Sequence, residues 1–291
     1  MKSILEFLSA KTIKSKDATK ALKFESEGSS TLGGHKDGKA NTNFEYSHDG
    51  EDWVKWNLSD ILITKDNPLY IRGNNPEGIS FNDVNAFVFK IDGDKVACSG
   101  NIMYLLDYTK DLDTIPNTNC FNYLFDGCKS LTTAPELPAT TLTTGCYGYM
   151  FVGCSNLTAV PELPATKITE YCYENMFRNC TSLTKAQSIL PATKLENYCY
   201  YNMFKGCANL KTAPELPALK LADLCYAGMF NKCTNLSYVK AMFTSDPKVI
   251  FINTWLVGVS GNGKFVKNSA ATWNDEDARI PDNWDIETAD K

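Results

Sequence analysis

Cysteines and apolar residues recur at a constant spacing along the second half of the chain. After Cys98, the cysteines fall into five pairs whose members are eight residues apart. The first members of successive pairs are separated by 26, 26, 27 and 26 residues. The pairs are Cys120 and Cys128, Cys146 and Cys154, Cys172 and Cys180, Cys199 and Cys207, and Cys225 and Cys233. A fixed period of this length is typical of proteins built from stacked repeats.

Each repeat combines two hydrophobic patterns. The second repeat has buried-type residues at i, i+4, i+5 and i+8, namely Cys146, Met150, Phe151 and Cys154. This spacing predicts a short helix with one buried face. From Leu157 the pattern becomes extended and ends at Pro161-Glu-Leu-Pro, where the prolines exclude helix. We therefore predict one helical turn and one short strand per repeat, with each repeat covering the apolar face of its neighbour.

One repeat in full reads Cys146-Tyr-Gly-Tyr-Met-Phe-Val-Gly-Cys-Ser-Asn-Leu-Thr-Ala-Val-Pro-Glu-Leu-Pro-Ala-Thr-Lys-Ile. This unit resembles the BspA-like leucine-rich repeats of surface proteins from gut Bacteroidetes and of the phages that infect them. The resemblance covers about residues 81 to 286. It implies a leucine-rich repeat solenoid of short strands and short helical turns, with about 26 residues per repeat. It also implies adhesion or binding, without naming a ligand.

The residues before the repeats have a different pattern. Alternating residues flank Asp49-Gly50, which predicts a hairpin, and Asp92-Gly-Asp predicts a second turn. Trp53 and Trp56 are three residues apart in an alternating strand, so they should lie on opposite faces and at least one should be core. We divide the chain into a basic arm (1–21), a small β domain (22–97), leucine-rich repeats (98–240) and a C-terminal cap (241–291).

The composition of the chain disfavours several classes of function. The chain of 291 residues is 43% hydrophobic and 22% charged, and its net charge of −5 disfavours nucleic-acid binding through a broad basic face. Its two histidines, His35 and His48, both precede the repeats. The repeats therefore lack a His-based catalytic or metal centre, and we predict a non-enzymatic protein without cofactor or metal. No apolar stretch has the roughly 20 residues of a membrane span, so we expect no membrane insertion.

The eleven cysteines are predicted to be buried, reduced packing residues. Stacked repeats would bring equivalent cysteines close enough for disulfides, but pairing along such a series would be arbitrary. Zinc ligands usually occur in clusters such as Cys-x-x-Cys, and none is present.

Two sets of outward positions are candidate ligand-binding residues. One set follows the leucine of each repeat and includes the Pro-Glu pairs; the other consists of tyrosines that alternate with variable residues. The candidates are Thr133, Glu136, Tyr149, Glu162, Lys185, Tyr201, Thr212 and Glu215. The alternative for the first set is a solvated, threonine-rich sheet face, since Thr is favoured in strands without any ligand. Tyr123 belongs with the second set.

The first 24 residues carry six lysines against two acids, a net charge of +4 that leaves −9 for the remainder. We predict a docking arm that attaches to phage capsid or tail proteins. The docking candidates are Ile4, Leu5, Phe7, Leu8, Lys11 and Lys14. A disordered tail is the alternative, because chain termini commonly fray.

These features favour a phage structural protein that displays its repeats on the virion surface and binds a host-surface glycan or protein. It would be made in the host cytoplasm, since Glu6 interrupts the apolar run that a signal peptide needs. A homotrimer is expected for fibre-like display. The alternative is a BspA-like bacterial cell-surface adhesin that lacks its export signal. An enzyme with Glu136 and Glu162 as paired carboxylates ranks third.

Overall fold

A computed structural model describes residues 20–290, and its regular structure is almost entirely β. The strands are β1 (Leu22–Ser26), β2 (Ser29–Lys36), β3 (Phe44–Ser47), β4 (Val54–Lys55), β5 (Ile61–Thr64), β6 (Leu69–Gly73), β7 (Phe87–Gly93), β8 (Val96–Ser99), β9 (Leu131–Thr133), β10 (Tyr238–Ala241), β11 (Gly263–Asn268) and β12 (Trp284–Ala289). The helices described are a 3-10 helix, Ile102–Leu105, and an α-helix, Val249–Ile252. No helix in this part of the chain is long and apolar enough to cross a membrane.

The N-terminal strands form two sheets. One has six strands in the order β4-β3-β6-β1-β8-β9, and the other has three in the order β5-β2-β7. The hairpin predicted at Asp49-Gly50 is confirmed, because β3 and β4 pair antiparallel. The chain also turns near Asp92-Gly-Asp, but the flanking strands β7 and β8 join different sheets. The last strand, β9, comes from the first repeat and pairs parallel with β8, so the repeats continue the sheet.

The predicted turn and core residues of this region are well placed. The Asp49 carboxylate accepts hydrogen bonds from the backbone N–H groups of Asp52 and Glu51 and from the Ser47 hydroxyl. These bonds lower the pKa of Asp49 to about 2, the backbone bond from Asp52 contributing most. Trp56 is buried, whereas Trp53 is half-buried and stacks with the Arg72 guanidinium at 4.1 Å.

The predicted leucine-rich repeat solenoid of short strands and short helical turns is wrong. The described residues form one mixed, one antiparallel and one parallel sheet, and the segments predicted as helices are runs of turns. In the second repeat every fourth residue has a left-handed backbone, at Gly145, Tyr149 and Gly153 with φ of +64°, +56° and +69°. A residue with positive φ cannot continue a right-handed helix.

The hydrogen bonds of these turns explain the difference. Alternate N–H groups bond within the repeat, as Gly148 does to the Gly145 carbonyl, at 3.0 Å. The N–H groups between them bond to the next repeat, as Tyr147 does to Cys172 and Tyr149 to Glu174. Bonds to a neighbouring chain segment thus replace the i to i−4 bonds of a helix. The predicted short strands also reduce to β9 in the first repeat, β10 at the end of the last repeat, and isolated parallel bridges such as Ala159 with Lys185.

The interior of the repeats consists of columns of equivalent side chains. Five phenylalanines stack with ring centroids 5.4 to 5.8 Å apart: Phe125, Phe151, Phe177, Phe204 and Phe230. A parallel column contains Phe121, Tyr147, Tyr173, Tyr200 and Tyr226. Both columns end on the buried Trp255. The leucines Leu131, Leu157, Leu183, Leu210 and Leu236 are also fully buried.

All eleven cysteines are buried and unbridged, which confirms their predicted packing role. The second cysteine of each pair also has a specific contact. For example, the Cys154 thiol donates to the Phe125 carbonyl of the preceding repeat, with 3.1 Å between sulfur and oxygen. Cys146 is the first cysteine of its pair. Burial raises the pKa of its thiol to about 12, so this thiol is protonated at neutral pH.

After the repeats, β10, β11 and β12 form a parallel three-stranded sheet. Trp255 contacts the ends of both columns and Phe265 of β11, and Trp273 packs on Phe265 and on Phe243. The Trp255 indole N–H donates to the Ala278 carbonyl at 2.8 Å, and the Trp273 indole N–H donates to the Phe243 carbonyl at 3.0 Å.

Candidate ligand-binding surface

Half-buried tyrosines form two stacked pairs on the turn side of the repeats. Tyr123 stacks on Tyr149 with 4.8 Å between ring centroids, and Tyr171 stacks on Tyr198 with 4.7 Å. Tyr201 meets the edge of Tyr198 at 5.7 Å. Each stacked pair joins two successive repeats, so the spacing of the turns fixes the spacing of the rings.

Glu174 contacts the first pair and acts electrostatically on the second. Its Oε1 accepts a hydrogen bond from the Tyr149 hydroxyl at 3.0 Å and from the Asn175 amide at 3.2 Å. The Glu174 charge also acts on Tyr171, whose pKa is raised mainly by desolvation and further by Tyr198, Glu170 and Glu174. We call the set Tyr123, Tyr149, Tyr171, Glu174, Tyr198 and Tyr201 the tyrosine surface.

The stacked tyrosines adopt an unfavourable backbone conformation. Tyr123, Tyr149, Tyr171 and Tyr198 have φ of +62°, +56°, +59° and +57°. The same turn positions in other repeats are mostly glycine or asparagine, such as Gly145, Asn175 and Gly228, which adopt positive φ more readily. A bulky side chain there costs on the order of 1 to 3 kcal/mol, and such residues concentrate at functional sites. Packing does not require tyrosine at these positions, since the rings remain part-exposed.

Burial and neighbouring charges raise the pKa of Tyr123 and Tyr149, and burial raises the pKa of Glu174. Burial, followed by the charges of Asp83, Asp126 and Glu174, raises the pKa of Tyr123 to about 12. The pKa of Tyr149 is raised further, by burial and then by Glu174. Burial also raises the pKa of Glu174, although the hydrogen bonds from Tyr149 and Asn175 oppose this rise. The surface therefore offers aromatic hydroxyls beside several acidic side chains, of which Glu174 accepts a hydrogen bond from Tyr149.

A second concave area lies between the first two Pro-Glu segments. The groove has a volume of about 560 Å³, and it is lined by Pro135, Glu136, Pro161, Glu162 and neighbouring residues. Glu136 and Glu162 are exposed, as predicted for outward positions. The column of glutamates stops here, because Ile189 occupies the equivalent place in the third repeat and bridges to Glu215.

The other predicted binding residues do not join either area. The Glu215 carboxylate pairs with Lys240 at 3.0 Å. Thr133, Lys185 and Thr212 are exposed but lie on strand or bridge positions. Neighbouring threonine hydroxyls are used internally, since Thr158 donates to the Thr132 carbonyl at 3.3 Å. This arrangement agrees with a solvated, threonine-rich face.

Of the predicted residues, Tyr149 and Tyr201 belong to the tyrosine surface. Sequence reasoning missed Glu174, Tyr171 and Tyr198. Tyr171 and Tyr198 each directly precede the first cysteine of a repeat, a shared position that the sequence does reveal. The docking candidates Ile4, Leu5, Phe7, Leu8, Lys11 and Lys14 lie outside the described residues.

Within residues 20–290, no group of three or more His, Cys, Asp or Glu side chains is placed to hold a metal ion. Comparison with protein-family models, curated proteins and solved structures gave no match to this chain.

Proposed function

We propose that this chain is a non-enzymatic binding protein that recognises a host-surface glycan through the tyrosine surface. One observation carries the proposal. Four tyrosines in a left-handed backbone form two stacked pairs, and Glu174 accepts a hydrogen bond from Tyr149 of one pair. Glycine or asparagine would adopt this backbone conformation at a lower energetic cost than tyrosine. Strained residues of this kind are expected where the side chain itself is needed for recognition.

The chemistry of this surface fits a saccharide. Tyrosine offers an apolar ring to the C–H face of a sugar and a hydroxyl to its polar edge. The Glu174 carboxylate adds an acceptor for sugar hydroxyls. The surface runs along successive repeats, so it suits a ligand with its own repeating units. Nucleic acid fits poorly, because the chain has a net charge of −5 and Glu174 would repel phosphate.

We further propose that the protein is displayed on a phage virion, with the N-terminal arm attached to capsid or tail proteins. Two features support this setting. The eleven thiols are unbridged, which fits folding in a reducing cytoplasm. The first 24 residues concentrate positive charge in a chain that is otherwise acidic, which fits attachment to an acidic assembly.

A glycan array tests the binding function. The wild-type chain should select a restricted set of glycans, and Tyr198→Ala should lose most of that signal. Tyr238→Ala is the matched control, because Tyr238 is also half-buried but lies on β10. Equal loss in both variants, or no glycan selected by the wild type, would contradict glycan recognition.

The display setting needs a separate test. Antibody labelling of purified phage particles should detect the protein, and deletion of residues 1–20 should remove it from particles while glycan binding persists. Labelling of the bacterial surface without phage would instead identify an adhesin.

A further inference from the structure

A cationic groove lies in the N-terminal sheets, on different elements from the tyrosine surface. Its cavity has a volume of about 560 Å³ between the end of β2, the following loop and β4. Three lysines line it, Lys36, Lys39 and Lys55, together with the amides Asn41, Asn43 and Asn57. No aspartate or glutamate is among its lining residues.

The groove continues beyond this cavity. A neighbouring cavity of about 350 Å³ is lined by Lys39, Asn41, Phe81 and Asn85. Lys39 and Asn41 belong to both cavities, so the two form one extended path. Its length suits a chain-like ligand better than a single small ion.

The charges along this path are unpaired. Among the described residues, none of the three lysines forms an ion pair with a carboxylate. The acid next to Lys36 in the sequence, Asp37, has its carboxylate hydrogen-bonded to the His35 ring at 2.9 Å. Three like charges around one cavity repel one another, and an anionic ligand would relieve that repulsion.

The walls are fixed by hydrogen bonds before any ligand binds. The Asn41 amide donates to the Gly78 carbonyl at 2.8 Å, and the Lys39 backbone N–H donates to Asn85 Oδ1 at 2.8 Å. The Asn43 backbone N–H donates to Asn75 Oδ1 at 2.9 Å. Trp56 is buried beneath the groove, with its indole N–H donating to the Ser59 carbonyl. Such pre-organisation reduces the entropy lost on binding.

We propose that this groove binds an anionic polysaccharide, whose carboxylate or sulfate groups pair with Lys36, Lys39 and Lys55. Asparagine amides and Thr42 supply hydrogen bonds to sugar hydroxyls. An acidic peptide fits less well, because peptide recognition usually adds apolar anchors. Here Trp56 is buried, and the groove is lined mainly by polar side chains. The proposal does not depend on the tyrosine surface.

The test compares two triple variants of the full chain that change the net charge equally. Lys36→Gln/Lys39→Gln/Lys55→Gln removes the groove charges, and Lys65→Gln/Lys90→Gln/Lys95→Gln removes three exposed lysines outside it. Binding is measured to polygalacturonate, dextran sulfate, neutral dextran and poly-glutamate. Circular dichroism and thermal unfolding establish that both variants remain folded.

We expect the wild type to bind polygalacturonate or dextran sulfate but not neutral dextran. Comparing its affinity for polygalacturonate with that for dextran sulfate shows whether the groove prefers carboxylate or sulfate. The groove variant should lose about tenfold or more in affinity, whereas the control should lose about threefold or less, the effect of net charge alone. Three results would each overturn the proposal: equal loss in both variants, no polyanion binding by the wild type, or tighter binding of poly-glutamate than of either polysaccharide. Tyr198→Ala should leave polyanion binding unchanged. A failure of the groove proposal can therefore be distinguished from a failure of the proposal for the tyrosine surface.

Discussion

The hydroxyl of Tyr149 donates a hydrogen bond to Glu174 Oε1, 3.0 Å away in the following repeat. The bond joins two turns that already share a backbone bond from the Tyr149 N–H to the Glu174 carbonyl, at 2.8 Å. The two bonds therefore hold Tyr149 and Glu174 in fixed positions relative to each other. This coupling gives the tyrosine surface a defined geometry, although it is built on turns rather than on helices or strands.

Glu174→Gln should make the protein more stable at pH 7 and weaken its glycan binding. Burial raises the pKa of Glu174, so the fold disfavours its charged form. The resulting loss of stability is absent below the ordinary glutamate pKa of 4.5, grows as pH rises above that value, and is complete above the raised pKa of the folded state. Thermal unfolding of the wild type and Glu174→Gln from pH 3.5 to 8 should show a difference in melting temperature that disappears towards low pH. A variant that is less stable at pH 7 would contradict this account.

Glycine substitutions test the turn architecture against a helical one. Gly127 and Gly145 both have positive φ, but a Cβ at Gly127 meets no atom within 4 Å, whereas one at Gly145 lies 2.2 Å from Asn119 Oδ1. Gly127→Ala should cost about 1 to 2 kcal/mol from backbone strain alone. Gly145→Ala should cost more, because Asn119 must also move. Urea unfolding measures both values, and a gain in stability for either variant would favour helix instead.

The phenylalanine column should dominate the stability of the repeats. Phe177 is fully buried between Phe151 and Phe204, at centroid distances of 5.5 and 5.7 Å. Phe177→Ala should destabilise the protein by about 3 to 5 kcal/mol through lost burial and a cavity. Urea unfolding measures this loss. A loss within about 0.5 kcal/mol, as for an ordinary surface substitution, would mean that the column is not a packed core.

The two cysteine positions of the repeats should respond differently to serine. At Cys154 a new hydroxyl still faces the Phe125 carbonyl, which the thiol now uses. Cys172→Ser buries a hydroxyl without an assured partner and should cost about 1 to 3 kcal/mol. Cys154→Ser should cost less. Denaturant unfolding of both variants checks the order, and the reverse order would contradict the assigned thiol bond.

The sequence identified the repeats and their buried residues but not their backbone. Spacings of i, i+4, i+5 and i+8 place residues on one face of a helix, yet consecutive four-residue turns bury the same set. The distinguishing signal was the presence of glycine or asparagine four or eight residues apart within a repeat, as at Gly145 and Gly153 or Asn175 and Asn179, which favours left-handed backbone. A helix prediction based on the hydrophobic pattern overlooks this signal, because hydrophobic periodicity alone does not report the sign of φ.

The candidate site was predictable only in part, for a related reason. Tyr149 and Tyr201 occupy outward positions within the repeat and could be identified from their alternation. Glu174 comes next to Tyr149 only through the hydrogen bonds between neighbouring repeats. That register depends on the turn geometry, so the sequence pattern could not assign the contact. In the sequence, Pro-Glu pairs recur along the repeats and predict a column of glutamates. Ile189 takes the glutamate position in the third repeat and interrupts this column.

The central claim is that the tyrosine surface binds a glycan, and isothermal titration tests it most directly. The glycan selected on the array is titrated into the wild type, Tyr198→Ala and Tyr238→Ala. Loss of Tyr198 removes a ring that contacts both Tyr171 and Tyr201, so affinity should fall by about tenfold or more, as for a binding hot spot. Tyr238→Ala should bind like the wild type. Unchanged affinity in Tyr198→Ala, with the variant folded, would contradict the account.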